Sequence, residues 1–567
     1  MALNLKTIIC SFLFVKRRNQ RKRKMENRED LKSILPYLPA VMRSSTLFWP
    51  SQVVEALKAL STGPLHSHVD SGHILFTAIE DIRNSLSLSS TSLAPSTSLG
   101  YSLFFDELLT REESRKWFEE GVPALGSLLL RLPSLLEAHY ENADKVFDGA
   151  GLRMLDSQEA GIVLLSQELI AALLGCSLFC LFPDHDRYMK QLQIINFDQL
   201  FASLYEDYSQ KQENKIRCII HYFQRISSDM PKGVVSFERK VLPFEGQADL
   251  ISYPNSNFWS TSAIPLCKFE VHSSGLIEDQ SGETVEVDFA NKYLGGGALG
   301  RGCVQEEIRF MISPELIAGM LFMPAMEENE AIDIVGIERF SSYTGYASSF
   351  RFSGDYVDAR DVDTLGRRKT RIVAIDALCS PGMRQYRENL VLREINKAFC
   401  GFLYQFKYQK YQKILQENGW SSEQFDASAL TRTETSEGKI SNHEFRNFQN
   451  DYQRMEQGNN IGVATGNWGC GAFGGDPELK AMIQWLAASQ ALRPFIAYYT
   501  FGLEALQNLE EVASWILSQR WTVGELWNML IEYSTKRSKG ETTVGFLRWL
   551  LPSLYGNGAR ISSPNSP

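Results

Sequence analysis

The chain has 567 residues, 44% of them apolar and 22% charged, with a formal net charge of −9. This is the balance of a globular protein with room for more than one domain, and it excludes a disordered or collagen-like chain. A net negative surface does not attract nucleic acid broadly, so any polyanion the chain takes must be met by a local site.

The nine cysteines are odd in number and irregularly spaced, and no C-x-x-C pair occurs. Neither a disulfide framework nor a zinc site is expected, and a reducing compartment fits. His66, His68 and His73 lie close together, but in a Ser/Gly-rich stretch without partner ligands, so no metal is expected there either.

Residues 6–15 hold an apolar run too short to span a bilayer. Basic residues follow it rather than precede it, which is the wrong order for a secretory signal. Residues 16–24 carry seven positive charges in nine positions. They read either as a nuclear localisation signal or as a solvated tail. Met25 begins a well-patterned segment, so residues 1–24 are expected to be a basic, disordered leader or an alternative-start extension.

Residues 25–230 read as a helical accessory domain. Ser51 is placed to cap a helix, 84–100 reads as an exposed Ser/Thr/Leu loop, and 122–140 and 196–208 carry helical periodicity. Ala160 to Pro183 is apolar enough to suggest a membrane span, but Ser166, Gln167 and Glu168 sit in its middle. A buried central helix is the expected form.

From about residue 231 the pattern turns to short β-rich runs: Val234–Phe237, Cys267–Val271, Val285–Phe289, Ile332–Ile337, Arg371–Asp376 and Phe495–Phe501. Helical stretches such as Pro477 to Gln490 lie between them, which predicts a layered α/β domain over 231–510. A polar segment, 404–460, interrupts it and reads as a partly disordered insertion. Residues 511–567 return to helix, with Trp515, Trp521, Trp527 and Trp549 as packing anchors.

The most informative stretch is Val287-Asp-Phe-Ala-Asn-Lys-Tyr-Leu-Gly-Gly-Gly-Ala-Leu-Gly-Arg-Gly-Cys-Val-Gln-Glu-Glu-Ile-Arg-Phe310. Gly295, Gly296 and Gly297 cost backbone entropy and have no evident packing value. They suit a main chain that approaches something closely, such as a diphosphate bound by backbone N–H groups. Gly295, Gly297 and Gly300 satisfy G-x-G-x-x-G, but a dinucleotide fingerprint needs a helix that starts inside the run and an acid about twenty positions on. Glu306 and Glu307 come too soon for that, and Glu315 follows Pro314. Neighbouring helical residues diverge by about 100°, so this pair alone does not flank one bond from opposite faces. Their proximity and partial burial would raise one pKa and yield a carboxylic acid near neutral pH. Taken without context, the pair also reads as acids that open a helix and complement its dipole.

The glycine triplet followed at short range by Gln305-Glu306-Glu307 resembles the signature of poly(ADP-ribose) glycohydrolases, the plant members most closely. Gly275–Asp279, Val287–Asn291, Tyr343–Ala347, Ile372–Ala377, Ala464–Asp476 and Tyr499–Gly502 resemble family segments in the same order. The resemblance implies a macrodomain-like mixed sheet flanked by helices, with the N-terminal helical accessory domain packed against it. It implies hydrolysis of ribose–ribose bonds in poly(ADP-ribose), with no cofactor and no metal. Glu307 would protonate the leaving ribose oxygen and then activate water, Glu306 would hold the ribose hydroxyls, and Asp288 would support the site. Asn291 would contact ribose, with Gln305 and the glycines Gly295, Gly296 and Gly297 beside it. Glu278 and the Ile277 backbone would meet the adenine, Phe501 would stack on it, and Tyr499 keeps a ring where relatives can carry Phe. Tyr346 would clasp the ligand near the diphosphate, and the loop holding Asn467 and Phe473 would wrap the phosphate and distal ribose. Cys303 and Cys470 read as small fillers.

The implied partners are poly(ADP-ribose) and poly(ADP-ribosyl)ated proteins, with no direct nucleic-acid or membrane contact, and a monomer acting in nucleus and cytoplasm. A non-catalytic ADP-ribose reader is the alternative.

Overall fold

A computed structural model describes residues 25–88, 93–143, 150–184, 186–244, 251–280, 283–404 and 461–552. The basic leader and the polar insertion from residue 405 onward lie outside the described residues, as does the tail after 552.

A small hairpin comes first, β1 (Val41–Arg43) with β2 (Thr46–Phe48). The main sheet takes β3 (Gly161–Ser166), β4 (Val234–Val241), β5 (Lys268–His272), β6 (Thr284–Ala290) and β7 (Glu330–Val335). After a second hairpin, β8 (Ser341–Thr344) with β9 (Arg351–Asp355), it adds β10 (Arg371–Asp376), β11 (Gly462–Gly466) and β12 (Phe495–Tyr499). The order is β3-β4-β7-β10-β6-β11-β12-β5. Each neighbouring pair among the first four strands is antiparallel, and from β10 to β5 every pairing is parallel. The fold is the α/β mixed sheet flanked by helices that the sequence led us to expect.

Alternation along the strands divides the interior in two. Ile372 and Ala374 of β10 join a core that also contains the N-terminal helices. Val373 and Ile375 face the opposite side, against the helices Glu388–Phe402, Pro477–Gln490 and Val523–Ser538. Trp527 is buried there, while Trp515, Trp521 and Trp549 are partly buried against the same core.

Several local expectations change. Ala160–Pro183 is not one helix: it opens as β3 and then becomes the helix Gln167–Leu178, with the Ser166 hydroxyl accepting from Leu169 N–H at the junction. The mainly helical first part of the chain therefore supplies the outermost strand of the sheet. An unbroken apolar run explains the misreading: Gly161 to Leu165 carries no polar residue to mark the alternation of a strand, and it leads straight into a buried helix. Among the described residues no helix is long and apolar enough to cross a membrane. The helix predicted to be capped by Ser51 begins at Ser51, with Pro50 as its cap residue. Around 84–100, the helix Gly72–Ser85 and the helix Thr97–Ser102 enter from both sides, with Thr97 and Gly100 buried.

Parallel strands deliver their carboxyl ends to one edge, where β6, β10, β11, β12 and β5 release their loops. In open α/β sheets this edge is where ligands bind.

Candidate active site

β6 is buried along most of its length and ends at Ala290. Asn291 turns the chain, its Oδ1 accepting from Tyr293 N–H at 3.0 Å. Three short turns follow, closed by N–H donation from Gly296 to Tyr293, Ala298 to Gly295 and Gly300 to Gly297. Gly295 and Gly296 carry φ of +86° and +49°, the left-handed region that favours glycine. The helix Gln305–Ile312 then starts beyond the glycines.

Both glutamates reach back over this loop. Glu306 accepts from Gly295 N–H at 2.6 Å and from Asn291 N–H at 2.9 Å. Glu307 accepts from Gly297 N–H at 2.9 Å on Oε1 and from Val304 N–H at 2.8 Å on Oε2. The second bond is half of a capping box, since Val304 has no side-chain oxygen to return it. Although successive helical residues diverge, the two carboxyls converge on Gly296: a Cβ there would stand 2.6 Å from Glu306 and 2.8 Å from Glu307.

This corrects two expectations. The amides of Gly295 and Gly297 hold the two acids rather than a diphosphate, and that of Gly296 closes a turn. The glycines also have a packing role. A Cβ on Gly295 would strike Met320 and Phe310, and one on Gly302 would lie 2.7 Å from Glu307 Oε1.

Asp288, on β6 beneath the pair, is buried, and neither of its carboxyl oxygens finds a hydrogen-bond partner among the described residues. Burial, reinforced by the charge of Glu307, pushes it up to about 8, against the pull of Arg309. Glu306 is likewise raised well above the usual carboxylate range, by burial first and then by Asp288 and Glu307. Within the pair it is Glu306 whose carboxyl is raised, and Asp288 beneath it is raised as well.

Beside this cluster lies a cavity of about 530 Å³ at the carboxyl edge of the sheet. Ile277, Glu278, Gln305, Tyr346, Asn467, Phe473 and Phe501 line it, seven of the expected site residues. Asp288, Asn291, the glycine triplet, Glu306, Glu307 and Tyr499 do not. Val304 and Gln305 join the two parts, since Glu307 holds Val304 by its amide. Tyr346 is half-exposed above this junction and lines the cavity beside Gln305.

The polar groups of several expected contacts are already engaged. Gln305 accepts from Phe289 N–H and donates to Val287 C=O, fastening its helix to β6. Asn467 donates to Thr500 C=O and accepts from the Tyr498 hydroxyl. Tyr499 is buried behind the cavity, stacked on His272 with ring centroids 4.8 Å apart, and its hydroxyl donates to Gln280. Phe501 is 47% exposed and holds φ +53°, a strained conformation for an aromatic residue. Burial raises the thiols of Cys303, to about 11, and of Cys470, consistent with fillers rather than nucleophiles.

Five further residues take part that the sequence did not single out. Tyr343 donates its hydroxyl to Glu278 Oε1 at 2.6 Å. Arg360 donates to the Glu278 carbonyl at 2.6 Å and pairs with Glu286, which also holds Arg309 at 3.0 Å. From the helical region, Lys215 grips the glycine loop by its carbonyls. Tyr343 lay inside a family segment, Arg309 inside the glycine–glutamate stretch and Glu286 inside a β-rich run; Arg360 and Lys215 are joined to the site by packing alone.

Comparison with known proteins places this geometry. Residues 256–508 match the family model of the poly(ADP-ribose) glycohydrolase macro domain fold, and residues 109–239 match that of its helical domain. The chain belongs to the poly(ADP-ribose) glycohydrolase family. Among its relatives, poly(ADP-ribose) glycohydrolase 1 of Arabidopsis thaliana is 59% identical over 559 residues, covering 95% of this chain and all of the relative. Probable poly(ADP-ribose) glycohydrolase 2 of the same plant is 54% identical, over 94% of this chain and all of the relative. Poly(ADP-ribose) glycohydrolase 1 of Caenorhabditis elegans is 31% identical, over 56% of this chain and 35% of the relative. The helical-domain match of this glycohydrolase runs through β3 and β4, so its boundary falls within the sheet.

Proposed function

We propose that this protein hydrolyses the ribose–ribose O-glycosidic bonds of poly(ADP-ribose) and releases ADP-ribose, with Glu307 as acid and base. The observation that carries the reading is the Glu307 carboxyl, fixed by one amide on each oxygen over a glycine loop, directly behind Val304 and Gln305, which line a nucleotide-sized cavity.

The terminal unit enters with its adenine toward Glu278 and Phe501. The buried Glu278 carboxylate accepts from the exocyclic amine, and the ring of Phe501, held outward by its left-handed backbone, stacks on the base. The phosphates lie along the loop from Asn467 to Phe473. This brings the anomeric carbon to the Glu306–Glu307 end.

As the bond from the anomeric carbon to the 2′ oxygen of the next ribose breaks, Glu307 gives its proton to that oxygen and charge builds on the sugar as an oxocarbenium-like state. Water then attacks the anomeric carbon, and its proton returns to the Glu307 carboxylate. Glu306 orients the ribose hydroxyls. Asp288 keeps charge density low beneath the pair by remaining protonated near neutral pH.

Turnover of purified poly(ADP-ribose) tests this. The wild type releases ADP-ribose, while Glu307→Gln releases none and still binds ADP-ribose by calorimetry. Near-normal turnover by the variant removes Glu307 from the role, and loss of binding together with turnover leaves the role unproven by this variant. A purely ADP-ribose-binding protein would show binding without release in the wild type.

The same reading makes poly(ADP-ribosyl)ated proteins the partners in the cell, met by a monomer in nucleus and cytoplasm.

A further inference from the structure

The glycine loop has two sides. Its amides face Glu306 and Glu307, and its carbonyls face the helical region. The peptide unit between Gly296 and Gly297 is bonded at both ends. Its N–H donates to Glu307 Oε1 at 2.9 Å, and its carbonyl accepts from Gln193 Nε2 at 2.8 Å. Gln193 lies between the helices Gln167–Leu178 and Asp198–Glu206. Its own carbonyl is held by Arg187, from Nε at 2.8 Å and Nη2 at 2.6 Å, so its backbone is fixed independently of its side chain.

Farther along the loop, Lys215 of the helix Gln210–Ser228 is fully buried and donates from Nζ to the carbonyls of Gly300 at 2.7 Å and Gly302 at 2.6 Å. Gln212, one turn earlier, also donates to Gly300, at 3.0 Å. Gly302 in turn packs against the Glu307 carboxyl.

A peptide that accepts a hydrogen bond at its oxygen is a stronger donor at its nitrogen, and one held at both ends cannot rotate. Placement of a catalytic group is worth large factors in rate, because a shift of about 1 Å can cost about a hundredfold. We propose that Gln193 and Lys215 are positioning residues for Glu307, so that the helical region aims the acid through the glycine-loop peptides without touching substrate. Gln193 acts on the Gly296–Gly297 peptide, and Lys215 keeps Gly300 to Gly302 closed against the carboxyl. A bond at the loop carbonyls has no route to the adenine end, so its loss acts on turnover and not on ADP-ribose binding.

This rests on Glu307 being the acid, and the test separates the two. Full-length Gln193→Leu, Gln193→Glu, Lys215→Met and Glu307→Gln are assayed on poly(ADP-ribose) for kcat and KM, with ADP-ribose affinity by calorimetry and thermal melting alongside. Gln193→Leu, which keeps the volume and removes the donor, is expected to lose kcat by about ten- to a hundredfold with KM and ADP-ribose affinity changed less than about twofold. Gln193→Glu, which sets an anionic oxygen against the Gly296 carbonyl, is expected to fall further. Lys215→Met follows Gln193→Leu if it folds, and Gln193→Leu carries the test if it does not. Wild-type kcat in Gln193→Leu overturns the proposal while Glu307→Gln is inactive. So does a parallel fall in melting temperature and ADP-ribose affinity. An active Glu307→Gln instead overturns the underlying assignment of the acid.

Discussion

Gly296 and Glu306 approach so closely that a Cβ on the glycine would stand 2.6 Å from the glutamate Oε2, and the same methyl would lie 2.8 Å from Glu307 Oε1. The left-handed φ of Gly296 adds strain to any side chain there. We therefore expect Gly296→Ala to push both carboxyls off the loop amides and to lower kcat by about a hundredfold or more. The adenine end is untouched, so ADP-ribose binding by calorimetry should survive; an alanine variant with wild-type turnover would show that the acids need no such closeness.

Asp288 gives a prediction in pH. Its native pKa rises from 3.8 to about 8, so between those values the folded protein keeps a proton that the unfolded chain releases. Native stability therefore falls as pH rises through this window and levels off above it. Asp288→Asn removes the titration and places an amide donor beside the glutamates. Its melting temperature should equal or trail the wild type near pH 4 and exceed it near pH 8, by about 1–3 kcal/mol in stability. Parallel pH profiles for the two proteins would refute the buried, uncompensated carboxyl. Glu306 is raised for similar reasons, so some decline should remain in the variant.

Tyr343 addresses the other end of the cavity. Its hydroxyl is the side-chain donor to Glu278 at 2.6 Å, and burial and that carboxylate push the phenol well above its ordinary pKa. Tyr343→Phe leaves the buried carboxylate short of a donor, so Glu278 is held less firmly for the adenine amine. ADP-ribose affinity should weaken by about tenfold with kcat nearly unchanged, as measured by calorimetry and saturating turnover. A fall in kcat alone would separate Glu278 from base recognition.

The basic run 16–24 bears on where the enzyme works. Fluorescent fusions beginning at Met1 and at Met25 should differ, with the larger nuclear share in the longer one. Equal distributions would identify the run as a solvated tail.

Much of the site could be read in one dimension because its geometry is local. The glycine triplet, the two acids and Asp288 lie within twenty residues, and a strand, a tight loop and a helix start suffice to bring them together. β4, β5, β6, β7, β10 and β12 were likewise visible as short β-rich runs. β3 and β11 were not. β3 runs without a break into a buried helix, and β11 is buried throughout between two glycines, so neither offers an alternation to detect.

Local spacing in the chain thus set two acids close behind a glycine loop, and with the family signature it decided the reaction. Only packing decided the rest: which amides the acids consume, which carboxyl stays protonated, and that Gln193 and Lys215 reach the loop from the helical region. The acid–amide bonds follow from the turns of the loop, the Gln193 and Lys215 contacts join residues 103, 85 and 87 positions apart, and the protonation state follows from the burial of a charge. The last two depend on which surfaces the sheet and helices cover, which neighbouring residues in the chain do not specify.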